Sequence, residues 1–309
     1  MKAIAEAPSK AIVTGEHFVV HGAWALAAAL PRRVKVEVAE STHQRVISNG
    51  VLVSDRQRLR PIGRILEAMA KEYSLDSDMT VSITSEIPEG AGLGSSASTM
   101  VAVTSAVARL RGLSVGVAEI SKFAMVGETE IHGRPSGVDV AICSIGGVVL
   151  FKRGSSPRRI TLNGTKSLII AFSGRKRSTR RQIRRVSGTK ELFPSLFEGL
   201  TEGASEVSLM AAERLSTGDL EGLGRMLSLN HAVLSAIGVS SPQLDRLVDL
   251  ALSLGAYGAK LTGAGGGGSI VAVAPGGKEK SIVSGLRDRG FEAFLAKIPA
   301  GGVRSWLEK

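Results

Sequence analysis

The sequence predicts an α+β protein built from two domains. The chain has 309 residues, and domains commonly hold about 100–200 residues each. Hydrophobic residues make up 43% of the chain and charged residues 22%, an ordinary globular balance. Patterns typical of half-buried strands, such as residues 34–38, interleave with helical patterns, such as residues 62–73. We place the boundary near residue 160, which predicts domains over residues 1–160 and 161–309.

The other elements are predicted from apolar periodicity and from the glycine and proline residues that interrupt it. Strands are expected at residues 2–6, 10–14, 80–87, 146–151, 167–172, 258–262, 269–273 and 291–296. Helices are expected at residues 96–110, 117–128, 196–234 with breaks near Gly218, 242–254, and from the turn at 275–277 to residue 289. The segment 131–137 contains glycine and proline and predicts a loop.

Cysteine content and hydropathy limit the possible environments. A single thiol, Cys143, cannot form an intramolecular disulfide, and a cysteine-based zinc site needs more ligands. The first ten residues lack the apolar region of a signal peptide, and no apolar run reaches the roughly 18–20 residues of a membrane span. We therefore expect a cytoplasmic protein without a membrane partner.

The positive charge is concentrated in one part of the chain. The formal net charge is +11, and residues 151–190 contain 13 Lys or Arg and no Asp or Glu. A basic patch attracts polyanions or anionic substrates. The basic run at 175–185 is either a solvated helix face or a site for acidic partners or substrate phosphate. Nucleic-acid binding is an alternative function, although aromatic residues, at 4%, are few for base stacking.

A glycine-rich loop at residues 88–97, Pro-Glu-Gly-Ala-Gly-Leu-Gly-Ser-Ser-Ala, carries the main chemical signal. It lies between a predicted strand and a predicted helix, where backbone N–H groups and the helix N-terminus favour a phosphate. It lacks the Gly-Lys-Ser/Thr ending of a Walker A loop, and a plain tight turn is the alternative interpretation. The candidate phosphate-binding residues are Gly90, Ala91, Gly92, Leu93, Gly94, Ser95 and Ser96.

Two acidic residues, Glu128 and Asp139, could divide the work of phosphoryl transfer. One carboxylate would hold magnesium, and the other would orient the attacking hydroxyl. Their spacing alone favours the alternative that both are surface acids that cap helices. Lys10 considered alone is a surface lysine, and the spacing of His17 and His21 does not indicate a zinc site.

The motifs together resemble the GHMP kinase superfamily, and most closely the short archaeal and bacterial type of mevalonate kinase. The loop at 88–97 is similar to Pro-x-x-x-Gly-Leu-Gly-Ser-Ser-Ala of that superfamily, and residues 132–139 to His-Gly-x-Pro-Ser-Gly-Val-Asp of mevalonate kinases. Residues 8–22 resemble the opening Pro-Gly-Lys-x-Ile-Leu-x-Gly-Glu-His-x-Val-Val-x-Gly, and residues 260–269 the third glycine-rich motif. Residues 230–240 also resemble a mevalonate kinase segment.

The resemblance implies a fold, cofactors and residue roles. The N-terminal domain would be of the ribosomal protein S5 domain 2 type and the C-terminal domain ferredoxin-like. ATP and Mg²⁺ would bind, with Ser96 and Glu128 as metal ligands, Asp139 as general base and Lys10 as the catalytic lysine. The substrate-side residues that it implies are Glu16, His17, His21, Gly137, Thr179, Gly263 and Ala264.

The implied reaction is phosphorylation of the C5 hydroxyl of mevalonate in isoprenoid biosynthesis, by a possible homodimer. The chain departs from the family pattern at Ser9 for Gly, Val140 for Asn, Phe172 for Asp and Ser269 for Cys. Because of the basic run, a kinase for a more anionic substrate such as phosphomevalonate is the nearest alternative.

Overall fold

The computed structural model describes residues 1–76, 78–88, 90–164, 167–175 and 179–308. Glu89 of the glycine-rich loop lies outside the described residues. So do Lys176, Arg177 and Ser178, which belong to the segment that contains the predicted basic run.

Two β-sheets with helices packed on them form the described part of the chain. The strands are β1 (Lys2–Thr14), β2 (Ala25–Glu40), β3 (Arg45–Ser48), β4 (Val51–Leu52), β5 (Met79–Ser85), β6 (Val148–Phe151), β7 (Arg158–Arg159), β8 (Ser167–Phe172), β9 (Gly258–Thr262), β10 (Ser269–Val273), β11 (Glu292–Lys297) and β12 (Arg304–Glu308). The helices are α1 (Arg56–Tyr73), α2 (Ser95–Leu110), α3 (Val117–His132), α4 (Val138–Ile145), α5 (Thr179–Leu192), α6 (Pro194–Thr217), α7 (Leu220–Ala236), α8 (Pro242–Ser253) and α9 (Glu279–Arg287). A short 3₁₀ helix spans Phe18–His21. This architecture agrees with the predicted α+β class.

The first sheet has the hydrogen-bonded order β12-β1-β2-β5-β3-β4, with β6 on β2 and β7 on β6. All its pairs are antiparallel except β3 with β5. The prediction of two separate strands before residue 15 is wrong, because β1 is one strand of 13 residues. A register shift between Pro8 and Ser9 accommodates the proline, which cannot donate a ladder hydrogen bond.

Helix α2 packs directly on β1 and β2. Its residues from Met100 to Ala108 are all buried, and several of them are alanine, serine or threonine. Small side chains let the helix axis approach the sheet closely, as dense packing requires. The start of α2, which follows the glycine-rich loop directly, is therefore anchored on β1 and β2.

The second sheet has the order β11-β8-β10-β9 and is antiparallel. Helices α8 and α9 pack on it, and α7 packs on both β9 and β10. Ser241 caps α8, its side chain accepting a hydrogen bond from the N–H group of Leu244. The predicted helical region at 196–234 is divided at Gly218, which ends α6 in a left-handed conformation (φ 82°).

The two sheets pack against each other. The C-terminal strand does not follow the predicted domain boundary near residue 160. Strand β12 pairs with β1 and so belongs to the first sheet, although the prediction assigned residues 161–309 to the second domain. An ion pair between Arg304 and Glu6 accompanies this pairing, at 2.6 Å. Leu168 and Ile170 of β8 are buried in the same apolar cluster as residues of β1 and β2. Among the described residues, no helix is long and apolar enough to cross a membrane.

Candidate active site

A cavity of about 330 Å³ lies where the N-terminal strand, the glycine-rich loop, helix α3 and the start of α4 meet. The first residues of α5 and the turn after β9 complete its wall. Segments that are far apart in sequence therefore converge here. The cavity has both charged and apolar lining residues, as small-molecule sites commonly do.

Lys10 and Asp139 form an ion pair in this cavity, with Lys10 Nζ 3.0 Å from Asp139 Oδ1. Lys10 is 1% exposed on β1, whereas the Asp139 side chain is 34% exposed. Asp139 stands in the first turn of α4, which Gly137 precedes in a left-handed conformation (φ 93°). A buried ammonium needs such a partner, since an unpaired buried charge is costly. The carboxylate remains open to the cavity.

The glycine-rich loop adopts backbone conformations that favour glycine. Gly90, Gly92 and Gly94 have φ angles of 77°, 85° and 80°. A Cβ atom on Gly94 would lie 2.6 Å from Cγ of Lys10, so the lysine can lie against the loop only where glycine is present. The N–H group of Lys10 also donates to the Leu93 carbonyl at 2.9 Å. The loop and the lysine thus position each other.

Helix α2 begins at Ser95, directly after this loop. The first N–H groups of a helix have no partner within the helix, and the helix dipole favours an anion there. Two hydroxyl groups brace the loop from behind. Ser98 Oγ donates to the Pro8 carbonyl at 2.7 Å, and Ser269 Oγ donates to the Ala91 carbonyl at 2.9 Å. The start of β10 and the phosphate loop are therefore in direct contact.

Glu128 on α3 is 2% exposed and faces the same cavity. Burial, and after it the nearby charge of Asp139, raise the pKa of its carboxyl from the ordinary value of 4.5 to about 7. Its Oε1 atom is buried without a hydrogen-bond partner among the described residues. His132 Nε2 lies 3.6 Å from Glu128 Oε2 and 3.4 Å from Ser96 Oγ, so these three side chains are clustered.

The Glu128 and Ser96 side chains fit a magnesium ion that also contacts phosphate. Mg²⁺ in proteins is usually held by one or two carboxylates together with waters and substrate phosphates, rather than by a protein cage. No cluster of three or more His, Cys, Asp or Glu suited to a metal occurs among the described residues. The orphaned Oε1 atom of Glu128 is an oxygen that a cation would satisfy.

Glu16 and His17 lie at the turn that follows β1. Lys260 of β9 forms an ion pair with Glu16, and both side chains are almost fully buried. Burial raises the pKa of Glu16 and lowers that of Lys260, while their mutual attraction opposes both shifts. His17 Nε2 lies 2.9 Å from the carbonyl oxygen of Ala264, and the N–H group of Gly263 donates to Glu16 Oε1 at 3.4 Å. This corner joins the two sheets.

The structure brings most of the sequence-predicted site residues to the cavity. Those that line it are Lys10, Glu16, His17, Gly90, Gly92, Leu93, Gly94, Ser95, Ser96, Glu128, Gly137, Asp139, Thr179, Gly263 and Ala264. Ala91 belongs to the same loop but is only 1% exposed and does not line the cavity. His21, which was also predicted for the site, does not line this cavity. His21 lines a separate cavity with Lys190 and packs edge-on against the ring of Phe197.

Several lining residues were not predicted from the sequence. Val19, Val20, Met125 and Ile183 supply apolar surface, and Arg134 supplies a cation. Apolar periodicity does not distinguish residues that line a cavity from residues that fill the hydrophobic interior. Arg134 stands at the variable position of the His-Gly-x-Pro-Ser-Gly-Val-Asp motif, which was the one available signal.

Comparison with known families assigns the class of protein. Residues 60–147 match the family described as GHMP kinases N terminal domain, and residues 210–292 match GHMP kinases C terminal. These matches and the glycine-lined cavity define a two-domain kinase of the GHMP type. The matches confirm the resemblance to the GHMP kinase superfamily that the motifs indicated. GHMP kinases use ATP as a substrate.

The chain belongs to the mevalonate kinase family within this class. It is 33% identical to the mevalonate kinase of Aeropyrum pernix, with 97% of each chain covered. It is 35% identical to that of Methanothermobacter thermautotrophicus, with 98% of this chain and 100% of the relative covered. The crystal structure of L. major mevalonate kinase in complex with R-mevalonate superimposes with a TM-score of 0.81, at 27% identity and 96% coverage of both chains.

Proposed function

We propose that this chain transfers the γ-phosphoryl group of ATP to the C5 hydroxyl of mevalonate. The observation that carries the proposal is the Lys10–Asp139 pair, 3.0 Å apart, beside the glycine-rich loop in one cavity. Phosphoryl transfer requires an oriented hydroxyl, a cradle for the phosphates and positive charge close to the transferred group. The described residues supply each of these.

The protein side of the reaction centres on Asp139. Its carboxylate accepts the proton of the acceptor hydroxyl as the new oxygen–phosphorus bond forms and the bond to the departing ADP breaks. Lys10 brings a positive charge beside this carboxylate and stabilises the negative charge that develops on the acceptor oxygen. Because Lys10 is packed against Gly94, the pair keeps a fixed distance from the phosphate loop.

The nucleotide phosphates lie, in this proposal, against the loop from Gly92 to Ser95 and the N-terminus of α2. The backbone N–H groups at this helix end are free to donate to phosphate oxygens. Ser96 and Glu128 would hold Mg²⁺, which neutralises phosphate charge when bound. The deprotonated form of Glu128 is the one that a cation selects, and burial makes this form costly without the cation.

The apolar part of the cavity supports an acceptor with a methyl group rather than a sugar. Val19 and Val20 of the 3₁₀ helix and Ile183 of α5 form this part of the lining. Mevalonate has a methyl-bearing carbon between its hydroxyl arm and its carboxylate. Ile183 is 45% exposed, so the binding of such an acceptor would also cover apolar surface that is otherwise in contact with water.

The basic run does not favour the alternative of phosphomevalonate as acceptor. Of the described Lys and Arg residues in 175–185, none lines the cavity. Arg185 donates to the Gly238 carbonyl at 2.6 Å and Arg175 to Gln243 Oε1 at 3.2 Å. These contacts support the interpretation of the run as a solvated helix face. Nucleic-acid binding, a homodimer and a cytoplasmic location are predictions that these contacts do not address.

A substrate panel tests the function. ADP release is measured with ATP and, in turn, mevalonate, phosphomevalonate, homoserine and galactose. Mevalonate-dependent ADP release well above the other three is expected. Its absence, or faster turnover of phosphomevalonate, would reject the assignment. The Asp139→Asn variant is the matched control for contaminating kinases, because it should bind ATP without turning it over.

A further inference from the structure

Arg134 occupies a well-defined position at the mouth of the cavity. It lies in the segment between α3 and α4, where its backbone N–H donates to the His132 carbonyl at 2.9 Å. Gly133 before it has φ 73°, and Pro135 follows it. A residue that precedes proline is restricted to extended backbone conformations. The backbone of Arg134 is therefore constrained, while its side chain is exposed at the cavity.

The charge of Arg134 has no partner among the described residues. In the described part of the chain, its guanidinium forms neither an ion pair nor a hydrogen bond to another residue. Lys10 and Arg134 are the Lys and Arg residues among the described residues that line the cavity, and Lys10 is already paired with Asp139. A nucleotide triphosphate would bring several negative charges into this space. Arg134 is thus the lining cation available to meet them.

The neighbours of Arg134 place it on the phosphate side of the cavity. Two residues earlier, His132 lies within 3.6 Å of both Glu128 and Ser96, the two candidate metal ligands. Five residues later, Asp139 is the candidate base. Arg134 therefore lines the cavity from the segment that links Glu128, a candidate metal ligand, to the candidate base. Its planar guanidinium can donate two parallel hydrogen bonds to phosphoryl oxygens.

We propose that Arg134 is a further catalytic residue, which contacts the γ-phosphoryl oxygens of ATP and stabilises their charge during transfer. This proposal rests on one part of the proposed function, namely that ATP is the phosphoryl donor. Arg134 exchanges no proton and forms no covalent bond. Its role is that of an arginine supplied by the same chain, a known means of stabilising charge on a transferring phosphoryl group.

The test compares nucleotides that differ only by the γ-phosphate, without any acceptor. Equilibrium affinities for the imido analogue of ATP and for ADP, both with Mg²⁺, are measured in wild-type protein and in Arg134→Ala. Loss of a hydrogen bond to a charged group corresponds to roughly 10- to 100-fold in affinity. We expect that loss for the ATP analogue, while the affinity for ADP changes less than about twofold.

Two further variants complete the design. Arg134→Lys keeps the charge without the paired donors and should recover part of the lost affinity. Arg153→Ala removes an exposed arginine that does not line the cavity and should leave both affinities unchanged. It controls for the overall loss of one positive charge.

Two results of this comparison would overturn the proposal: unchanged affinity for the ATP analogue, or equal loss for both nucleotides. Steady-state kinetics of Arg134→Ala with mevalonate supply a third, a defect confined to the KM of the acceptor. The last would assign Arg134 to the acceptor carboxylate instead. Failure of the wild-type protein to phosphorylate mevalonate would reject the proposed acceptor. It would leave the nucleotide comparison unaffected, because no acceptor is present in that experiment.

Discussion

The ammonium group of Lys10 lies 3.0 Å from Asp139 Oδ1, and its methylene groups pack against Gly94 of the phosphate loop. One side chain therefore connects the candidate base with the candidate phosphate cradle. Neither neighbour can shift without disturbing the other. This arrangement makes the pair sensitive to changes in the loop as well as to changes in the carboxylate.

Replacement of Asp139 by Asn should remove most of the activity while nucleotide binding is preserved. The amide keeps the size of the side chain but cannot accept the hydroxyl proton. We expect kcat with mevalonate to fall roughly 10²- to 10⁴-fold, the usual contribution of a general base. Steady-state kinetics and equilibrium binding of the ATP analogue measure the two effects separately. A kcat within tenfold of wild type would show that Asp139 is not the base.

The Gly94→Ala variant should lose activity through displacement of Lys10. The new methyl group would lie 2.6 Å from Lys10 Cγ, at a residue whose φ is 80°. Misplacement of a catalytic group by about 1 Å can cost on the order of 10²-fold in rate. The measurement is kcat, together with the free energy of unfolding from denaturant titration.

Gly112→Ala is the matched control for this change. Gly112 also has a positive φ, 65°, but a Cβ atom there meets nothing within 4 Å. The backbone strain alone is roughly 1–2 kcal/mol for a non-glycine residue in the left-handed region. Gly112→Ala should therefore lose stability and keep normal kcat. Equal kcat in the two variants would contradict the proposed contact between loop and lysine.

Glu128 should make the metal-free protein less stable as the pH rises. Its folded-state pKa of about 7 lies above the ordinary value of 4.5. Between these values the folded protein holds a proton that the unfolded chain releases, so the free energy of unfolding falls as pH increases. The favourable contribution is complete below 4.5 and is lost as the pH passes through about 7, a change of about 3 kcal/mol.

Unfolding of wild type and Glu128→Gln in EDTA, at several values from pH 5 to pH 8, checks this. Gln imitates the protonated carboxyl at every pH, so the difference in stability between the two proteins should grow in favour of the variant toward pH 8. Glu67→Gln, at an exposed position on α1, should track wild type. A constant difference between wild type and Glu128→Gln across this range would reject the raised pKa.

Removal of one member of the buried Lys260–Glu16 pair should cost more stability than removal of one member of an exposed pair. Lys260→Met leaves the Glu16 carboxylate buried without its partner. Removal of one member of a buried pair typically costs about 3–5 kcal/mol. The double variant Lys260→Met/Glu16→Gln should recover part of this loss, because no unpaired charge remains.

Lys122→Met serves as the control for the buried pair. Lys122 pairs with Glu72 on the surface, where both side chains are at least half exposed. Exposed pairs are screened by water, so little change in stability is expected. Denaturant unfolding of the four proteins gives the comparison. Similar losses for Lys260→Met and Lys122→Met would show that burial does not set the strength of the first pair.

Local patterns predicted much of the fold. The strand at 167–172, the helix at 96–110 and the break at Gly218 follow from periodicity and chain-breaking residues, and the structure has all three. The same reasoning placed two strands where β1 is continuous, because a register shift at Pro8 is a property of the pairing with β2. It also missed that β12 returns to the first sheet.

Long-range contacts explain the remaining differences at the site. Lys10 considered alone is a surface lysine, yet its ammonium is buried because Asp139 is available from a distant segment. His21 was predicted for the site but lines a separate cavity. Arg134 was not predicted for the site but lines its cavity. No local pattern distinguishes these cases.

The glycine-rich loop between strand and helix, the α+β class and the family could all be predicted from the sequence. Each of them depends on neighbouring residues or on motifs of fixed spacing. Only the tertiary structure decided which side chains meet. The burial of Lys260 against Glu16, the contact of Lys10 with Asp139 and the place of Arg134 in the cavity wall depend on how distant segments pack. Packing of the two sheets brings Lys260 to Glu16, and packing of α4 on β1 brings Asp139 to Lys10.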